Sequence, residues 1–223
     1  MDIQRINGYD DPRFPREVLN QHGAFLADGM PWAFRVVADR GAVVTAAQPI
    51  TPESLAEVAE DFRFYAEHIT DFYDEAGTLL LSLPPVERWE ADIDALQPSQ
   101  FSVDEDKCAA VDSFLRTAAD LVIPVTELAD GTLCTLDGHT RLYAAWRRGI
   151  RTAMVFHAAD QDMGARIADF AAEARKRGIF HIRTWPSTPT RSRRKNGSAG
   201  ASPTLHARPG KNNLFVQFFA PKK

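Results

Sequence analysis

Five consecutive residues, Asp137-Gly138-His139-Thr140-Arg141, carry the strongest signal for chemistry in this sequence. They follow a strand pattern and open a helical one, so the first helical N–H groups and the positive end of the helix dipole face one point. Glycine lets the backbone approach an anion closely. Arg141 adds a two-pronged donor, and His139 and Thr140 add further donors. The pattern therefore predicts a phosphate-binding turn.

A plain turn is the alternative interpretation of the same residues. Asp-Gly is common in tight turns, and a short motif of this kind carries a high false-positive risk. Asp137 lies beside the turn and is the best single candidate for a Mg²⁺ ligand or a catalytic base. Gln100 is a candidate for reading the edge of a nucleotide base, although a glutamine in a loop is usually only solvated.

Other polar residues offer weaker candidates. The three acids at 104–106 are a possible Mg²⁺ site, but acidic residues also stabilise the start of a helix. His22 is either catalytic or a turn residue. Cys108 and Cys134 are the only cysteines, and without a secretion signal they are expected to be thiols. Cys134 lies on a predicted strand and is expected to be a small buried hydrophobe.

The elements that position these residues follow from local patterns. Thr51-Pro52 predicts the start of a helix, with threonine as the cap and proline in the first turn. Ser102 begins a predicted capping box for a second helix. Two further helices are expected to end at Gly149 and Gly178. Apolar runs predict strands at 33–37, 42–45, 78–83, 122–125, 133–136 and 153–156.

The composition is that of an ordinary globular protein, with 44% hydrophobic and 25% charged residues. No apolar run approaches the roughly 20 residues that cross a bilayer, and the N-terminus lacks a signal-peptide pattern. We therefore expect no membrane partner and a cytoplasmic location.

The charge of −4 is distributed unevenly. Nine of the 26 Lys and Arg residues lie in 183–223 with no Asp or Glu, so 17 remain against 30 acidic residues in 1–182, a balance of −13. Nucleic-acid affinity depends on neutralising phosphates, so we expect no specific nucleic-acid partner. The basic tail is either disordered or read out of frame from about Thr184. Resequencing the gene at that codon distinguishes the two.

Four elements follow one another between residues 89 and 156: the segment 96–100, a helix, the strand 122–125, and the turn and helix of 136–150. In this order they resemble the ParB/sulfiredoxin-like superfamily. The resemblance implies an α+β fold with a small mixed sheet and short helices, preceded by an N-terminal α/β segment. It also implies that the turn binds nucleotide phosphates. The stretch 9–25 resembles a bacterial group of ParB/sulfiredoxin domain-containing proteins with the same two-part layout.

Departures from the family's motifs select among its activities. Sulfiredoxins read Gly-Cys-His-Arg at this turn, whereas His139 follows Gly138 directly and the nucleophilic cysteine is missing. Partition proteins carry a Gly-Glu-Arg-Arg type of motif, bind CTP and continue into a helix-turn-helix module, features that this chain lacks ahead of its tail. The Asp-Gly-His-like turn of the free-serine kinases is closest in character. The resemblance thus implies phosphoryl transfer from a nucleotide to a small hydroxyl-bearing molecule. The alternative is a non-catalytic nucleotide-binding switch or sensor.

The predicted organisation has three segments. Residues 1–86 form an N-terminal α/β segment, 87–182 a ParB/sulfiredoxin-like nucleotide-binding domain, and 183–223 the basic tail. The expected ligands are ATP, ADP or CTP with Mg²⁺, and a small-molecule substrate. The expected catalytic residues are Asp137, His139 and Arg141, with Asp137 as the metal ligand. The expected nucleotide-binding residues are Gly138, His139, Thr140, Arg141 and Gln100.

Overall fold

Two β-sheets with helices packed against them make up the part of the chain that the structure describes. The computed structural model describes residues 1–103, 105–159 and 164–185. The strands there are β1 (Ile3–Arg5), β2 (Ala24–Ala27), β3 (Met30–Ala38), β4 (Gly41–Ala46), β5 (Asp71–Tyr73), β6 (Leu79–Ser82), β7 (Trp89–Asp92), β8 (Val122–Glu127), β9 (Leu133–Thr135) and β10 (Thr152–His157). The α-helices are α1 (Arg16–Asn20), α2 (Pro52–Phe62), α3 (Glu105–Phe114), α4 (His139–Arg147) and α5 (Gly164–Lys176), and short 3₁₀ helices lie at Ile93–Ala95, Ala118–Asp120 and Ile182–Thr184.

The first sheet holds β1 to β6 in sequence order. Neighbouring strands are antiparallel except β4 and β5, which are parallel. A parallel pair needs a crossover, and α2 lies between these two strands in the chain. The helix buries an apolar face made of Leu55, Val58, Ala59 and Phe62. Phe62 stacks on Phe34 of β3 with ring centroids 4.5 Å apart. Helix α2 therefore covers the hydrophobic core of the first sheet.

Helix α2 begins where the sequence predicts. The Thr51 hydroxyl accepts a hydrogen bond from the Ser54 N–H at 3.2 Å, and the Thr51 N–H donates to the Ser54 hydroxyl at 3.0 Å. Pro52 occupies the first turn, where its missing N–H has no helical partner to lose. The predicted cap is therefore confirmed, with Ser54 completing it.

The second sheet has the order β7, β10, β8, β9. The central pair, β10 and β8, is parallel, and the two outer pairs are antiparallel. Gln97 extends the edge beside β9, since its N–H donates to the Leu133 carbonyl and its carbonyl accepts from the Thr135 N–H. Residues of this sheet, α3, α4 and α5 share one core, which includes Ile93, Leu115, Ile123, Val125, Leu142, Ala145, Val155 and Ala174.

The architecture is therefore α+β, with two mixed sheets and few helices, as the sequence predicts at this level. The first sheet ends at Ser82 and the second begins at Trp89. Polar contacts tie the two halves together: the Asn20 side chain donates to the Ser113 hydroxyl at 2.9 Å, and Arg88 forms two 2.6 Å hydrogen bonds to Asp39. The described residues of both halves belong to one unit.

Two sequence predictions, the cap of α3 and the nature of the basic tail, fall on residues that the structure describes only in part. Helix α3 is described from Glu105, and Val103 before it is buried in the second core; Asp104 lies outside the described residues, so the capping box predicted at Ser102 stays a prediction. Trp185 is described and buried in that same core, whereas residues 186–223, and with them both explanations of the basic tail, lie outside the described residues. None of the helices in the described ranges has both the length and the apolar character needed to span a membrane.

Candidate functional site

Gly138 is the turning point between β9 and α4. Its φ of 83° and ψ of 13° place it in the left-handed region as the residue preceding the helix, a conformation that other residues adopt at a cost. A Cβ at this position would lie 2.6 Å from Ile123 Cδ1 and 3.1 Å from Arg141 Nη2. Both the backbone angle and the crowded surroundings therefore require glycine here.

The start of α4 presents backbone donors at this turn. The Leu142 N–H makes the first helical bond, to the Gly138 carbonyl at 2.9 Å. The N–H groups of His139, Thr140 and Arg141 precede that bond, as the first amides of any helix do. Strand, turn and helix thus occur in the order that the sequence predicts. Thr140 lies in the first turn of α4 and is half-buried.

Arg141 folds back over the turn. Its Nη1 donates to the Val122 carbonyl on β8 at 2.9 Å, and its Nη2 lies 3.4 Å from Asp137 Oδ2. The first contact fixes the guanidinium against the sheet. The second is longer than the 2.7–2.9 Å typical of charge-assisted hydrogen bonds. The Arg141 side chain is 20% exposed, so part of it is accessible to a ligand.

Asp137 interacts electrostatically with two guanidinium groups. One belongs to Arg141, and the other to Arg5, a partly buried residue of β1 that donates to the carbonyls of Asp61 and Phe62. Burial lowers the pKa of Arg5, and the negative charge of Asp137 opposes that shift. The Asp137 side chain is 31% exposed, so it remains accessible to a ligand. The sequence gives no sign of the contribution from Arg5.

The His139 side chain points into the protein. The residue is 2% exposed, and its Nε2 accepts a hydrogen bond from the Ser99 N–H at 3.0 Å. The Ser99 hydroxyl, 3.1 Å from the same nitrogen, donates to the Thr135 carbonyl at 2.7 Å. Nε2 is therefore unprotonated, and the ring proton is on Nδ1, which has no hydrogen-bond partner among the described residues. The imidazole packs edge-on against Trp185 with centroids 5.6 Å apart.

Burial also sets the charge of His139. It lowers the pKa of the imidazole to about 4, with Asp137 opposing the shift and Lys107 and Arg141 adding to it. The ring is consequently neutral near pH 7. This geometry does not support the predicted catalytic and ligand-donating roles of the side chain. His139 instead holds the Ser99 loop against α4, and its contribution to the turn is its backbone N–H.

Two neighbouring loop residues differ in how they are held. Gln100, the predicted base reader, is half-buried. Gln97, which sequence reasoning did not single out, is 2% exposed and fully engaged: its Oε1 accepts from Arg175 Nε and its Nε2 donates to the Ile179 carbonyl, both at 2.9 Å. Gln97 and Ser99 are polar residues that lie between apolar segments of the sequence. That position is the one feature of the sequence that could have indicated a structural role for them.

Other predicted candidates also have definite positions. Cys134 is fully buried, and burial raises the pKa of its thiol to about 12. It is a small buried residue, as predicted, and not a nucleophile. Of the acids at 104–106, Asp104 lies outside the described residues. Across the part of the chain that is described, no group of three or more His, Cys, Asp or Glu side chains is arranged to hold a metal ion.

A groove of about 180 Å³ lies at the C-terminal end of α4. The Arg148 guanidinium donates there to the carbonyls of Leu115 and Asp112, at the end of the neighbouring helix α3. The groove is at the other end of α4 from Gly138, so it is separate from the predicted phosphate-binding turn. Its lining residues are Cys108, Asp112, Tyr143, Ala144, Arg147 and Arg148.

The chain matches no family model and no curated protein. Among solved structures, it is similar to the crystal structure of protein Atu1540 from Agrobacterium tumefaciens, with a TM-score of 0.28 and 16% sequence identity. The match covers 44% of this chain and 52% of that one, so the chain spans about half the length of that structure. At this level of similarity, fold and function must be argued from the residues themselves.

Proposed function

We propose that residues 137–141 bind the phosphates of a nucleotide, ATP, ADP or CTP, together with Mg²⁺. The observation that carries this proposal is the left-handed Gly138 directly before α4, with the Arg141 guanidinium across it. Helix amides, the helix dipole and an arginine then face one point, which is the combination that binds phosphate. The resemblance of residues 89–156 to the ParB/sulfiredoxin-like superfamily supports the same assignment.

The proposed reaction is transfer of a phosphoryl group from the nucleotide to a small hydroxyl-bearing molecule, as in the free-serine kinases that the turn resembles. Such transfer depends mainly on positioning and electrostatics. Asp137 is the residue that binds Mg²⁺ or accepts the hydroxyl proton, because the His139 imidazole is buried and its Nε2 already accepts a hydrogen bond from the Ser99 N–H. A single carboxylate suits Mg²⁺, which is usually held by one or two carboxylates plus substrate phosphates.

A non-catalytic nucleotide-binding switch is the second candidate, and one observation favours it. With the His139 side chain turned inward, the predicted catalytic set reduces to Asp137 and Arg141, which pair with each other at 3.4 Å. In either function the partners are a nucleotide and small molecules. The balance of −13 in residues 1–182 argues against a specific nucleic-acid partner.

Replacing Arg141 tests the phosphate site directly. Arg141→Ala is expected to weaken nucleotide binding by about 1.5–3 kcal/mol, the range for a hydrogen bond to a charged group. Arg141→Lys restores the charge without the forked geometry, so only part of the loss should return. Calorimetric titration with ATP, ADP and CTP, each with Mg²⁺, measures both effects, and Arg166→Ala on α5 is the control for losing one exposed charge. A wild-type chain that is cooperatively folded and binds none of the three contradicts the proposal.

Replacing Asp137 distinguishes the two candidate functions. If the chain transfers phosphoryl groups, Asp137→Asn should lower turnover by about 100-fold or more while nucleotide affinity changes much less, since the carboxylate acts in the transition state. If the chain is a switch, only the Mg²⁺-dependent part of the affinity should change. A coupled assay over free serine and other small hydroxyl compounds is paired with calorimetry. Asp130→Asn, which alters a carboxylate paired with Arg175, is the matched control.

A further inference from the structure

Strand β6 lies at one edge of the first sheet. Within the part of the chain that the structure describes, its neighbour is β5 on one side and no strand lies on the other. The outer side of such a strand presents backbone N–H and C=O groups that can pair with a strand of another chain. Proteins usually block this pairing with charges on the edge, very short strands, or a covering segment.

The sequence of β6 contains none of the charges that block an edge. Its four residues are Leu79, Leu80, Leu81 and Ser82, and all eleven residues from 76 to 86 are uncharged. Leu79 is 53% exposed, whereas Leu80 and Leu81 are partly buried against the first core. The apolar surface of the first sheet therefore continues to its outer edge and remains partly exposed there.

A bulge leaves part of β6 without a partner on β5. Leu81 pairs with Phe72 and Leu79 pairs with Tyr73, so Leu80 is an extra residue that faces none on β5. The extra residue of a bulge is not paired in the ladder. A strand added on the outer side would supply partners for backbone groups of β6, and the bend at the bulge would keep that pairing short.

The other outer strands of the two sheets are protected in recognisable ways. Strand β1 has only three residues, one of which is Arg5. Strand β7 carries two exposed acids, Glu90 and Asp92, along its four residues. Strand β9 is covered by Gln97, which exchanges backbone hydrogen bonds with residues 133 and 135. Among these edges, β6 is the one that is neither charged nor covered by described residues.

The charge of the chain favours a second copy as the partner of this edge. Residues 1–182 carry a balance of −13, so two copies repel each other and can approach closely only where acids are absent. Antiparallel pairing of 76–86 with the same residues of a second copy places uncharged residues opposite uncharged residues. The same pairing at β7 would bring the acids of the two copies together, and like charges across a strand pair are destabilising.

We propose that β6 is a self-association edge, through which two copies of this chain pair antiparallel and join their first sheets. Such a contact is isologous, because each copy contributes the same strand to a two-fold symmetric pair. Backbone hydrogen bonds hold the pair together, as in other cases of strand addition. A pairing of about four residues buries less than the roughly 1,200 Å² of stable interfaces, so the dimer is expected to dissociate on dilution.

Sedimentation equilibrium of the full chain, from low micromolar to submillimolar concentration, tests the proposal. The average mass should rise from the 24.8 kDa of one chain toward twice that value. Leu79→Glu should raise the dissociation constant about tenfold or more, because a charge on an edge strand opposes pairing and like charges repel across the two-fold axis. Val37→Glu is the matched control, since Val37 is a 44% exposed residue of the inner strand β3. A wild-type chain that stays monomeric, or equal dissociation constants for the two variants, overturns the proposal.

Hydrogen exchange of the wild-type chain followed by mass spectrometry tests the location without any variant. Exchange in residues 79–83 should be fast at concentrations where the chain is monomeric and slower where it is dimeric, whereas exchange in residues 89–92 of β7 should not change. Protection of 79–83 that is already complete in the monomer would mean that another part of the same chain covers β6. That result overturns the proposal, as does a dimer in which the exchange of 79–83 is unchanged.

Discussion

Gly23→Ala is expected to lower the free energy of unfolding by about 3 kcal/mol or more, the upper range for forcing atoms into a packed site. A Cβ at residue 23 would overlap the carbonyl oxygen of Phe34 and lie 2.9 Å from its carbonyl carbon. Both are backbone atoms of β3, so no side-chain rotation relieves the contact. The Gly23 carbonyl also accepts a hydrogen bond from the Phe34 N–H at 2.8 Å, and the Gly23 N–H donates to the Val18 carbonyl. The added methyl group must therefore separate α1 from the sheet.

Urea denaturation of wild type and variant measures this effect, and Gly8→Ala is its control. A Cβ at Gly8 would lie 3.5 Å from Asp10 Oδ1, an ordinary contact, so that variant should be as stable as wild type or slightly more stable. An unfolding midpoint for Gly23→Ala within error of the Gly8→Ala midpoint would show that the close approach of Gly23 to β3 does not occur. Because Asn20 of α1 bonds to Ser113 of α3, the variant should also loosen the contact between the two halves.

Elements whose signals lie within a few residues of each other could be predicted from the sequence. The cap at Thr51 and the apolar face of α2 are contained in one short stretch, and the helix begins at Pro52 as expected. The same holds for the hairpin around Gly131, where β8 pairs with β9 in the antiparallel direction. Each of these elements depends on neighbours along the chain, so local spacing is enough to define it.

Short strands with distant partners could not be predicted in this way. Strand β1 has only three residues, and Ile3 pairs with Ala27 of β2. Neither segment has a pattern long enough to show a period of two, so the strand forms because the pairing partner is present. Strand β7 is similar, since Ala91 pairs with Ala153 of β10, far along the chain. These strands form because of tertiary contacts, and local sequence patterns do not show such contacts.

The candidate site likewise combines features that the local sequence predicts with contacts that it does not predict. The turn at Gly138 and the helix after it follow from five adjacent residues. The directions of the side chains do not, because Arg141 is held by a carbonyl 19 residues away and His139 by an N–H 40 residues away. Both side chains therefore have contacts that spacing alone cannot show.

Acid is expected to destabilise the chain steeply below about pH 6.5 because of two buried histidines. Burial lowers the pKa of His139 to about 4 and that of His68 to about 3, from an ordinary value of 6.5. The folded state keeps both rings neutral, whereas the unfolded chain binds protons below 6.5. Stability is therefore complete above that pH, and it is lost as the pH falls from 6.5 toward 4 for His139 and toward 3 for His68. With both rings contributing, the loss is roughly 3 kcal/mol per pH unit.

The free energy of unfolding, measured by urea denaturation at intervals from pH 7 to pH 4.5, tests this prediction. The double variant His68→Phe/His139→Phe should be less stable at pH 7, since the Ser99 N–H loses its acceptor, but its stability should fall much less between pH 6.5 and 4.5. His157→Phe removes an exposed imidazole and should keep the wild-type acid dependence. A double variant with the same slope as wild type would mean that other groups take up the protons, and the neutral, buried state assigned to His139 and His68 would then be wrong.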